Sequence, residues 1–112
     1  LERSIDLAIK AGVAEQNIII DPGIGFGKSV KQNLVVIRRL AELKVLNRPV
    51  LLGTSRKFGT GLASNQRLEA TAATVAIGIA HGIDMVRVHD VRQMVMVCRI
   101  SDAIIRGKSD EL

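Results

Sequence analysis

The sequence predicts an α/β fold in which short parallel strands alternate with helices. Three apolar runs begin at Ile18, Val50 and Met85, and their spacing suits βα units of ~30 residues or more that are joined by right-handed crossovers. Each run is continuously apolar instead of alternating, which is typical of parallel strands buried on both faces. Polar and charged residues follow every run, at the edge where parallel α/β proteins form their active sites. We therefore predict one helix followed by three βα units.

The helices in the first half of the chain are predicted from apolar periodicity. The opening stretch, LERSIDLAIKAG, is amphipathic and predicts a helix. The stretch KQNLVVIRRLAELKV predicts a second helix between the first two apolar runs. Its expected core face contains Leu34, Ile37, Leu40 and Ala41.

Two longer helices are predicted in the second half. The stretch RLEATAATVAIGIAHG is helical in composition and should end at Gly82, because glycine commonly terminates helices. The last helix should run from Val91 to about Ile105. Asp90 is placed to cap this helix, and Gln93 to close a capping box.

Composition and charge narrow the class of protein. The chain has 112 residues, about one small domain, and with 47% hydrophobic but 2% aromatic residues its core must be aliphatic. The single cysteine, Cys98, excludes an internal disulfide and fits a reducing compartment, so we expect a cytoplasmic protein. The net charge of +5 suits an anionic small molecule as well as a nucleic acid.

Nucleic acids and membranes are not expected partners. Two phenylalanines without tyrosine or tryptophan provide few platforms on which bases could stack. No segment reaches the ~20 apolar residues of a membrane span, and the amphipathic start of the chain does not resemble a signal peptide.

The stretch DPGIGFGKS, from Asp21 to Ser29, has the composition of a phosphate-binding loop without its spacing. A P-loop requires glycine, four residues and then Gly-Lys-Ser or Gly-Lys-Thr, but Pro22 stands where the first glycine belongs. Proline lacks the N–H that a P-loop directs at phosphate, and the Asp21 carboxylate would repel it. We expect phosphate to be bound elsewhere, and Lys28 and Ser29 to face solvent.

Asp21 ends the first apolar run, and its position allows two interpretations. Its carboxylate could cap a turn before Pro22. It could equally accept two hydrogen bonds from an amidine-like edge, such as that of a guanine or a pterin.

Basic side chains lie at the ends of the second and third apolar runs. In VRVHD, Arg87 and His89 share one face of the strand because side chains alternate. A histidine beside an apolar strand can be a core residue, but because His89 shares its face with an arginine we favour an anion clamp suited to phosphate or pyrophosphate. Ser55, Arg56 and Lys57 follow the second run, straight after Gly53. They either join the same site or form a solvated surface loop.

The motifs DPGIGFGK, LLGTSRK and VRVHDV, in this order and spacing, closely resemble those of the dihydropteroate synthase family. The stretch RLEATAATVAIGIAHG is similar to that family's penultimate helix. The resemblance implies a (β/α)8 TIM barrel, of which residues 1–112 are the C-terminal portion and contain about the last three βα units. It also implies transfer of a dihydropterin-methyl group from its pyrophosphate ester to p-aminobenzoate, which gives dihydropteroate and pyrophosphate in folate biosynthesis.

The resemblance assigns roles to individual residues. The implied pterin-binding residues are Asp21, Phe26, Gly53, Lys57 and Arg87. The implied catalytic residues are Lys57, Arg87 and His89, and the implied pyrophosphate ligands are Arg87 and His89. The p-aminobenzoate side, which sulfonamides also occupy, is implied to contain Ser55 and Arg56.

The resemblance further implies Mg²⁺ as a cofactor, with its protein ligand in a part of the barrel that this chain does not match. No metal ligand is expected within residues 1–112. The implied partners are the small-molecule substrates and a second copy of the chain, in a homodimer through the last two helices. Because three strands cannot close a barrel, we expect residues 1–112 alone to be inactive.

Two further features of the sequence are unexpected for a cytoplasmic member of this family. The segment from Lys57 to Arg67 is several residues shorter than is usual in the family. The chain ends in KSDEL, which is similar to an endoplasmic-reticulum retrieval signal; without a secretory segment, we interpret it as a coincidence in a charged tail.

Three alternatives stay open from the residues alone. A pterin-binding methyltransferase barrel would share Asp21 but has no reason for the SRK and RVHD motifs. A non-catalytic ligand-binding or assembly module is the second alternative. An open flavodoxin-like sheet is the third, although the expected cluster of several carboxylates for a metal is missing.

Overall fold

A parallel sheet joins the three apolar runs in their sequence order. The computed structural model describes residues 1–25, 29–55 and 64–107. In it, β1 (Leu51–Leu52) pairs in parallel with β2 (Met85–Val86), and Ile20 forms one parallel bridge with Val50. The predicted parallel α/β arrangement is confirmed. The first run contributes a bridge instead of a full strand, since Pro22 follows it closely and has no N–H with which to extend the pairing.

Four α-helices lie within the described ranges, close to the predicted positions. Gly82, with a φ of +95°, follows the third of them as predicted. No described helix is long and apolar enough to cross a membrane. The elements are α1 (Glu2–Lys10), α2 (Val30–Arg38), α3 (Ser64–Ala80) and α4 (Val91–Arg106), with 3₁₀ turns at Glu15–Asn17 and Leu40–Leu46.

The second helix is shorter than the sequence predicts, and two of the four residues predicted for its core face are exposed. Ile37 and Leu40 are buried, but Leu34 and Ala41 are exposed. The chain continues after α2 as a 3₁₀ helix, whose tighter turn rotates Ala41 away from the face that Ile37 occupies. Asn33 is buried beside this face, with 3% of its surface exposed.

The helix caps differ from the prediction as well. The Ser29 hydroxyl accepts the N–H of Gln32 at 3.1 Å, and the Gln32 side chain accepts the N–H of Ser29 at 2.9 Å, which is a capping box at the start of α2. Asp90 is the N-cap of α4, but its side chain makes no capping hydrogen bond, so the predicted box with Gln93 is wrong. The ψ of Asp90 is 68°, which lies outside the extended region that N-cap geometry requires.

An aliphatic core fills the space between the sheet and the helices α2, α3 and α4, as the composition predicts. Helix α3 lies close to β1 at Gly78. A methyl group added at Gly78 would lie 2.7 Å from Leu52 Cδ2 and 3.0 Å from Ile83 Cδ1. The buried core residues include Ile37, Leu40, Val50, Leu52, Val75, Ile79, Ile83 and Met94.

Asp84 stabilises the amino-terminal edge of the sheet. Its Oδ2 accepts the N–H of Val50 at 2.9 Å and the Lys44 ammonium at 3.1 Å. Burial on its own raises the pKa of Asp84, but these two hydrogen bonds and the Arg106 charge lower the pKa below its ordinary value. The charged groups at this edge therefore join β1 to the start of β2, and the carboxyl edge is left for other residues.

Gly78→Ala is expected to lower the free energy of unfolding of the full-length protein by about 1 kcal/mol. Alanine gains roughly 1 kcal/mol over glycine in helix propensity, whereas an extra methyl group in a filled core costs about 1–3 kcal/mol. The short distances to Leu52 and Ile83 make the clash the larger effect. Denaturant unfolding measures the difference.

Ala73→Gly is the matched control, because Ala73 is exposed on the same helix and reports propensity alone. It should cost roughly 1 kcal/mol. A gain in stability for Gly78→Ala that equals this loss would contradict the close approach of α3 to β1.

Candidate active site

The carboxyl ends of the three runs meet at one edge of the sheet. Asp21 follows Ile20, Gly53 follows Leu52, and Arg87 follows Val86. The backbone aligns these ends directly: the N–H of Leu51 donates to the carbonyl of Ile20 at 2.7 Å, and the N–H of Arg87 donates to that of Leu52 at 3.0 Å. Side chains that are distant in the sequence are thereby brought together, as predicted.

Asp21 and Arg87 form an ion pair across this edge. Arg87 Nη1 lies 3.3 Å from Asp21 Oδ2, and the other carboxylate oxygen accepts the N–H of Gly23 at 2.8 Å. The interpretation of Asp21 as the cap of a turn is confirmed, and its second oxygen faces a cation. The two side chains keep 35% and 56% of their surface exposed. Exposed ion pairs contribute only about 0–1 kcal/mol, so a ligand can replace this one at little cost.

Gly53 makes room for the guanidinium of Arg87. A methyl group added at Gly53 would lie 2.6 Å from Arg87 Nη2 and 3.1 Å from its Cζ. Gly53 is itself buried. The absence of a side chain therefore allows the planar cation to lie against the backbone that leaves β1.

Ser55 and His89 form the second contact of the site. The backbone N–H of His89 donates to Ser55 Oγ at 2.9 Å, and the ring Nδ1 of His89 lies 2.8 Å from the same oxygen. Only 4% of the surface of Ser55 is exposed, whereas His89 is exposed. The hydroxyl after β1 thus supports the imidazole after β2.

The alternation predicted for VRVHD is confirmed. Val86 and Val88 pack against the core, while Arg87 and His89 are exposed and contact residues of the neighbouring runs. One strand end therefore anchors itself with its valines and presents a guanidinium and an imidazole on the opposite face.

Thr54 fixes the loop after β1 and was not identified from the sequence. Its Oγ1 lies 2.6 Å from Thr74 Oγ1, and the Thr74 hydroxyl donates to the carbonyl of Thr71 at 2.8 Å. Because the Thr74 hydrogen is used in that bond, Thr54 is the donor in the first. The site loop is thereby tied to α3, and a threonine between Gly53 and Ser55 gives no sequence signal for such a bond.

Asn33 fixes the glycine-rich loop and was also missed. Its Oδ1 accepts the N–H of Gly25 at 3.1 Å. The periodicity of α2 predicted a core face of aliphatic residues, so a buried amide in this helix gave no signal. Asn33 holds the loop that leaves Asp21 close to the start of α2.

Several predicted residues lie outside the described ranges. They are Phe26, Lys28, Arg56, Lys57 and the KSDEL tail, together with most of the short segment between Lys57 and Arg67. Among the described residues, no group of three or more His, Cys, Asp or Glu side chains could hold a metal ion.

One carboxylate, one guanidinium and one imidazole thus lie at the carboxyl edge of the sheet, where parallel α/β enzymes form their active sites. Residues 1–89 match the family of pterin binding enzymes. The chain belongs to this family.

Within the family, the chain is similar to dihydropteroate synthases. It is 47% identical to the enzyme of Bacillus subtilis over 94% of this chain and 38% of that protein. It is 48% identical to the enzyme of Clostridium beijerinckii over 95% of this chain and 41% of that protein. The chain therefore spans about two fifths of the length of these curated relatives.

Solved dihydropteroate synthases share the fold as well. The Clostridium difficile enzyme, crystallised in the presence of pteroic acid, superposes with a TM-score of 0.88 at 49% sequence identity. The superposition covers 94% of this chain and 41% of the Clostridium difficile chain. The Yersinia pestis enzyme in complex with a sulfonamide drug has a TM-score of 0.88 at 32% identity over 96% of this chain and 40% of its own.

Gly53→Ala is expected to weaken pterin binding by the full-length protein about tenfold, or ~1.4 kcal/mol, while its melting temperature changes little. The new methyl group would displace the flexible end of Arg87, which can move without disturbing the core. Titration calorimetry with a pterin and a thermal melt measure the two effects.

Gly78→Ala provides the opposite control, because it strains the core without touching Arg87. It should lower the melting temperature and leave pterin affinity nearly unchanged. Unaltered pterin affinity in Gly53→Ala would show that the position of the Arg87 guanidinium is irrelevant to binding.

Proposed function

We propose that the full-length protein is a dihydropteroate synthase and that residues 1–112 are the C-terminal portion of its single (β/α)8 barrel domain. In this proposal the chain supplies about the last three βα units and is inactive alone. The sequential parallel order of the three runs and the two-fifths coverage of the relatives support it. A cytoplasmic location is part of the same proposal.

The reaction condenses 6-hydroxymethyl-7,8-dihydropterin pyrophosphate with p-aminobenzoate. The amine nitrogen bonds to the bridging carbon of the pterin, the C–O bond to pyrophosphate breaks, and the amine loses a proton. The observation that carries this proposal is the convergence of one carboxylate, one guanidinium and one imidazole, from Asp21, Arg87 and His89, at one edge of the sheet.

Asp21 binds the amino-pyrimidine edge of the pterin in this proposal. That edge presents N–H donors, and a carboxylate can accept two of them. Oδ2 exchanges its long contact with Arg87 for the ligand, and Oδ1 keeps the turn in place through Gly23. The negative charge also favours the electron-rich pterin, into which the developing carbocation is delocalised.

Arg87 and His89 stabilise the departing pyrophosphate. Negative charge grows on the leaving oxygen as the C–O bond breaks, and donors already in place stabilise the transition state more than the ground state. The guanidinium of Arg87 can also stack on the flat pterin ring. Its exposed position against Gly53 supports both contacts.

The remaining assignments follow the family resemblance. Phe26 borders the pterin pocket, and Lys57 contacts the carbonyl side of the ring as a catalytic residue. Ser55 and Arg56 belong to the p-aminobenzoate side, where sulfonamides also bind. The presence of pteroic acid with one related enzyme and of a sulfonamide drug with another supports this general substrate class.

Mg²⁺ belongs to the proposal only as a cofactor that the family implies. When bound, it would neutralise charge on the pyrophosphate. The described residues provide no cluster of metal-ligating side chains, so no residue of this chain is assigned to the ion and no step is derived through it.

Asp21→Asn in the full-length protein is expected to weaken pterin binding by about ten- to a hundredfold. Asparagine keeps the shape but replaces one acceptor with a donor that faces the donors of the pterin. The loss of a charge-assisted hydrogen bond costs roughly 1.5–3 kcal/mol. Calorimetry measures pterin affinity, and a coupled assay of pyrophosphate release and dihydropteroate formation measures activity.

Glu15→Gln is the control, because Glu15 is an exposed carboxylate paired with Arg48 in the turn that precedes the first apolar run. It should leave pterin affinity and activity unchanged. Equal pterin affinities of Asp21→Asn and the parent protein would show that Asp21 does not bind the pterin. If the parent protein forms no dihydropteroate, the proposed function is wrong.

We also propose a homodimer through α3 and α4. Three exposed apolar residues lie one turn apart along α4: Met96, Ile100 and Ile104. They form an apolar stripe that a second copy of the chain can cover.

Sedimentation velocity should show a dimer for the full-length protein and a shift to monomer for Ile104→Asp. Val45→Asp is the matched control, because Val45 is 80% exposed, as Ile104 is 75% exposed, but lies on neither helix. A monomeric parent protein would end this proposal.

A further inference from the structure

The buried hydroxyl of Ser55 contacts His89 at two points. Ser55 Oγ accepts the backbone N–H of His89 at 2.9 Å and lies 2.8 Å from the ring Nδ1. Ser55 is 4% exposed, and the adjacent Thr54 is tied to α3 through Thr74. The hydroxyl is therefore held in a fixed place beside an exposed ring.

A count of hydrogens determines which way the hydrogen bond to the ring runs. A serine hydroxyl has one hydrogen and two lone pairs, and a neutral imidazole has one N–H and one bare nitrogen. The backbone N–H of His89 already occupies one lone pair of Ser55 Oγ. If Nδ1 carried the ring proton, both lone pairs would be used and the buried O–H would need another acceptor.

No other hydrogen-bonding partner of Ser55 Oγ is found among the described residues. A buried donor without an acceptor loses its hydration without compensation. The favourable arrangement is therefore Ser55 O–H donating to a bare Nδ1. The ring proton of neutral His89 is then on Nε2.

We propose that Ser55 is a positioning residue that holds neutral His89 in the Nε2–H tautomer and so gives the site a hydrogen-bond donor for the leaving pyrophosphate. The hydroxyl fixes the ring from the Nδ1 side, as partners of histidine commonly do. The identity of the anion rests on the proposed function, whereas the assignment of the tautomer rests only on the contacts of Ser55.

The tautomer decides whether His89 attracts or repels an anion. Pyrophosphate oxygens are acceptors, so a bare Nε2 would set one lone pair against another. An Nε2–H donates to the same oxygen and stabilises it increasingly as negative charge builds up. Ser55 thereby acts on the pyrophosphate side of the reaction through His89, although the family resemblance assigns it to the p-aminobenzoate side.

The first test reads the ring nitrogens of His89 directly. Long-range ¹H–¹⁵N spectra of the ligand-free full-length protein are recorded in alkaline buffer, where imidazole side chains are neutral, and His89→Ala identifies the signals. We expect an unprotonated Nδ1 and a protonated Nε2 in the parent protein. In Ser55→Ala, the two signals should move toward each other as both tautomers become populated.

Two variants control this test. Ser101→Ala removes another buried hydroxyl, on α4 and outside the contacts of Ser55 and His89, so the nitrogen signals should stay as in the parent protein. Ser55→Thr keeps the hydroxyl and should retain the parent pattern. A protonated Nδ1 in the parent protein, or an unchanged pattern in Ser55→Ala, would overturn the proposal.

The second test links the tautomer to the anion. Inorganic pyrophosphate is titrated calorimetrically into the parent protein, Ser55→Ala, His89→Ala and the double variant. We expect each single variant to lose about tenfold in affinity, the scale of one hydrogen bond, and the double variant to lose no more, because the serine acts through the histidine. Losses that multiply in the double variant would show that Ser55 acts independently of His89.

The two tests separate the inference from the proposed function. If the parent protein fails to bind pyrophosphate, the anion is wrong and the proposed function fails with it, whereas the nitrogen signals still decide whether Ser55 sets the tautomer. If pyrophosphate binds but Ser55→Ala keeps the parent affinity and the parent signals of the His89 nitrogens, the proposed function is retained and the role proposed for Ser55 is wrong.

Discussion

The site depends on the pairing of the middle apolar run with a neighbour on each side. Leu51 donates to Ile20 on one side, and Leu52 accepts from Arg87 on the other. These bonds bring the three strand ends to one edge, so that Asp21, Gly53 and Arg87 become neighbours. A slip of one residue would turn Arg87 and His89 into the core and Val88 into solvent. The register therefore fixes the chemistry of the edge before any side chain contact is made.

Small residues on the two sides of β1 give it close neighbours. On the helix side, Gly78 allows α3 to lie against Leu52, and on the site side, Gly53 allows the Arg87 guanidinium to lie against the backbone. The two glycines serve different ends, since the first concerns packing and the second the position of a charge. Hydroxyl groups complete the arrangement: Thr54 bonds to α3 and Ser55 bonds to His89. Successive residues after β1 thus hold the loop and support the site.

An aspartate lies at each edge of the sheet, and the two have different hydrogen-bond partners. At the amino-terminal edge, Asp84 accepts a backbone N–H and the Lys44 ammonium, and all of its partners belong to the fold. At the carboxyl edge, the Asp21–Arg87 contact is long and partly exposed, so a ligand can replace it. The Asp84 carboxylate accepts the N–H of Val50 and so holds the start of β1, whereas Oδ2 of Asp21 contacts the side chain of Arg87.

The sequence by itself determined the parallel α/β arrangement, the positions of the helices and the edge at which Asp21, Arg87 and His89 meet, because apolar runs, terminators and strand alternation are local signals. It mispredicted Leu34 and Ala41 as core residues and a capping box at Asp90. Ala41 lies beyond the change from α to 3₁₀ geometry, and Asp90 has an unusual ψ; both features depend on the surrounding packing. Only the tertiary structure decided that Ser55 bonds to His89, that Thr54 bonds to Thr74 and that Asn33 holds Gly25. Each of these bonds joins segments that are separate in the sequence, and no local pattern specifies which hydroxyl or amide will find which partner once the strands are in register.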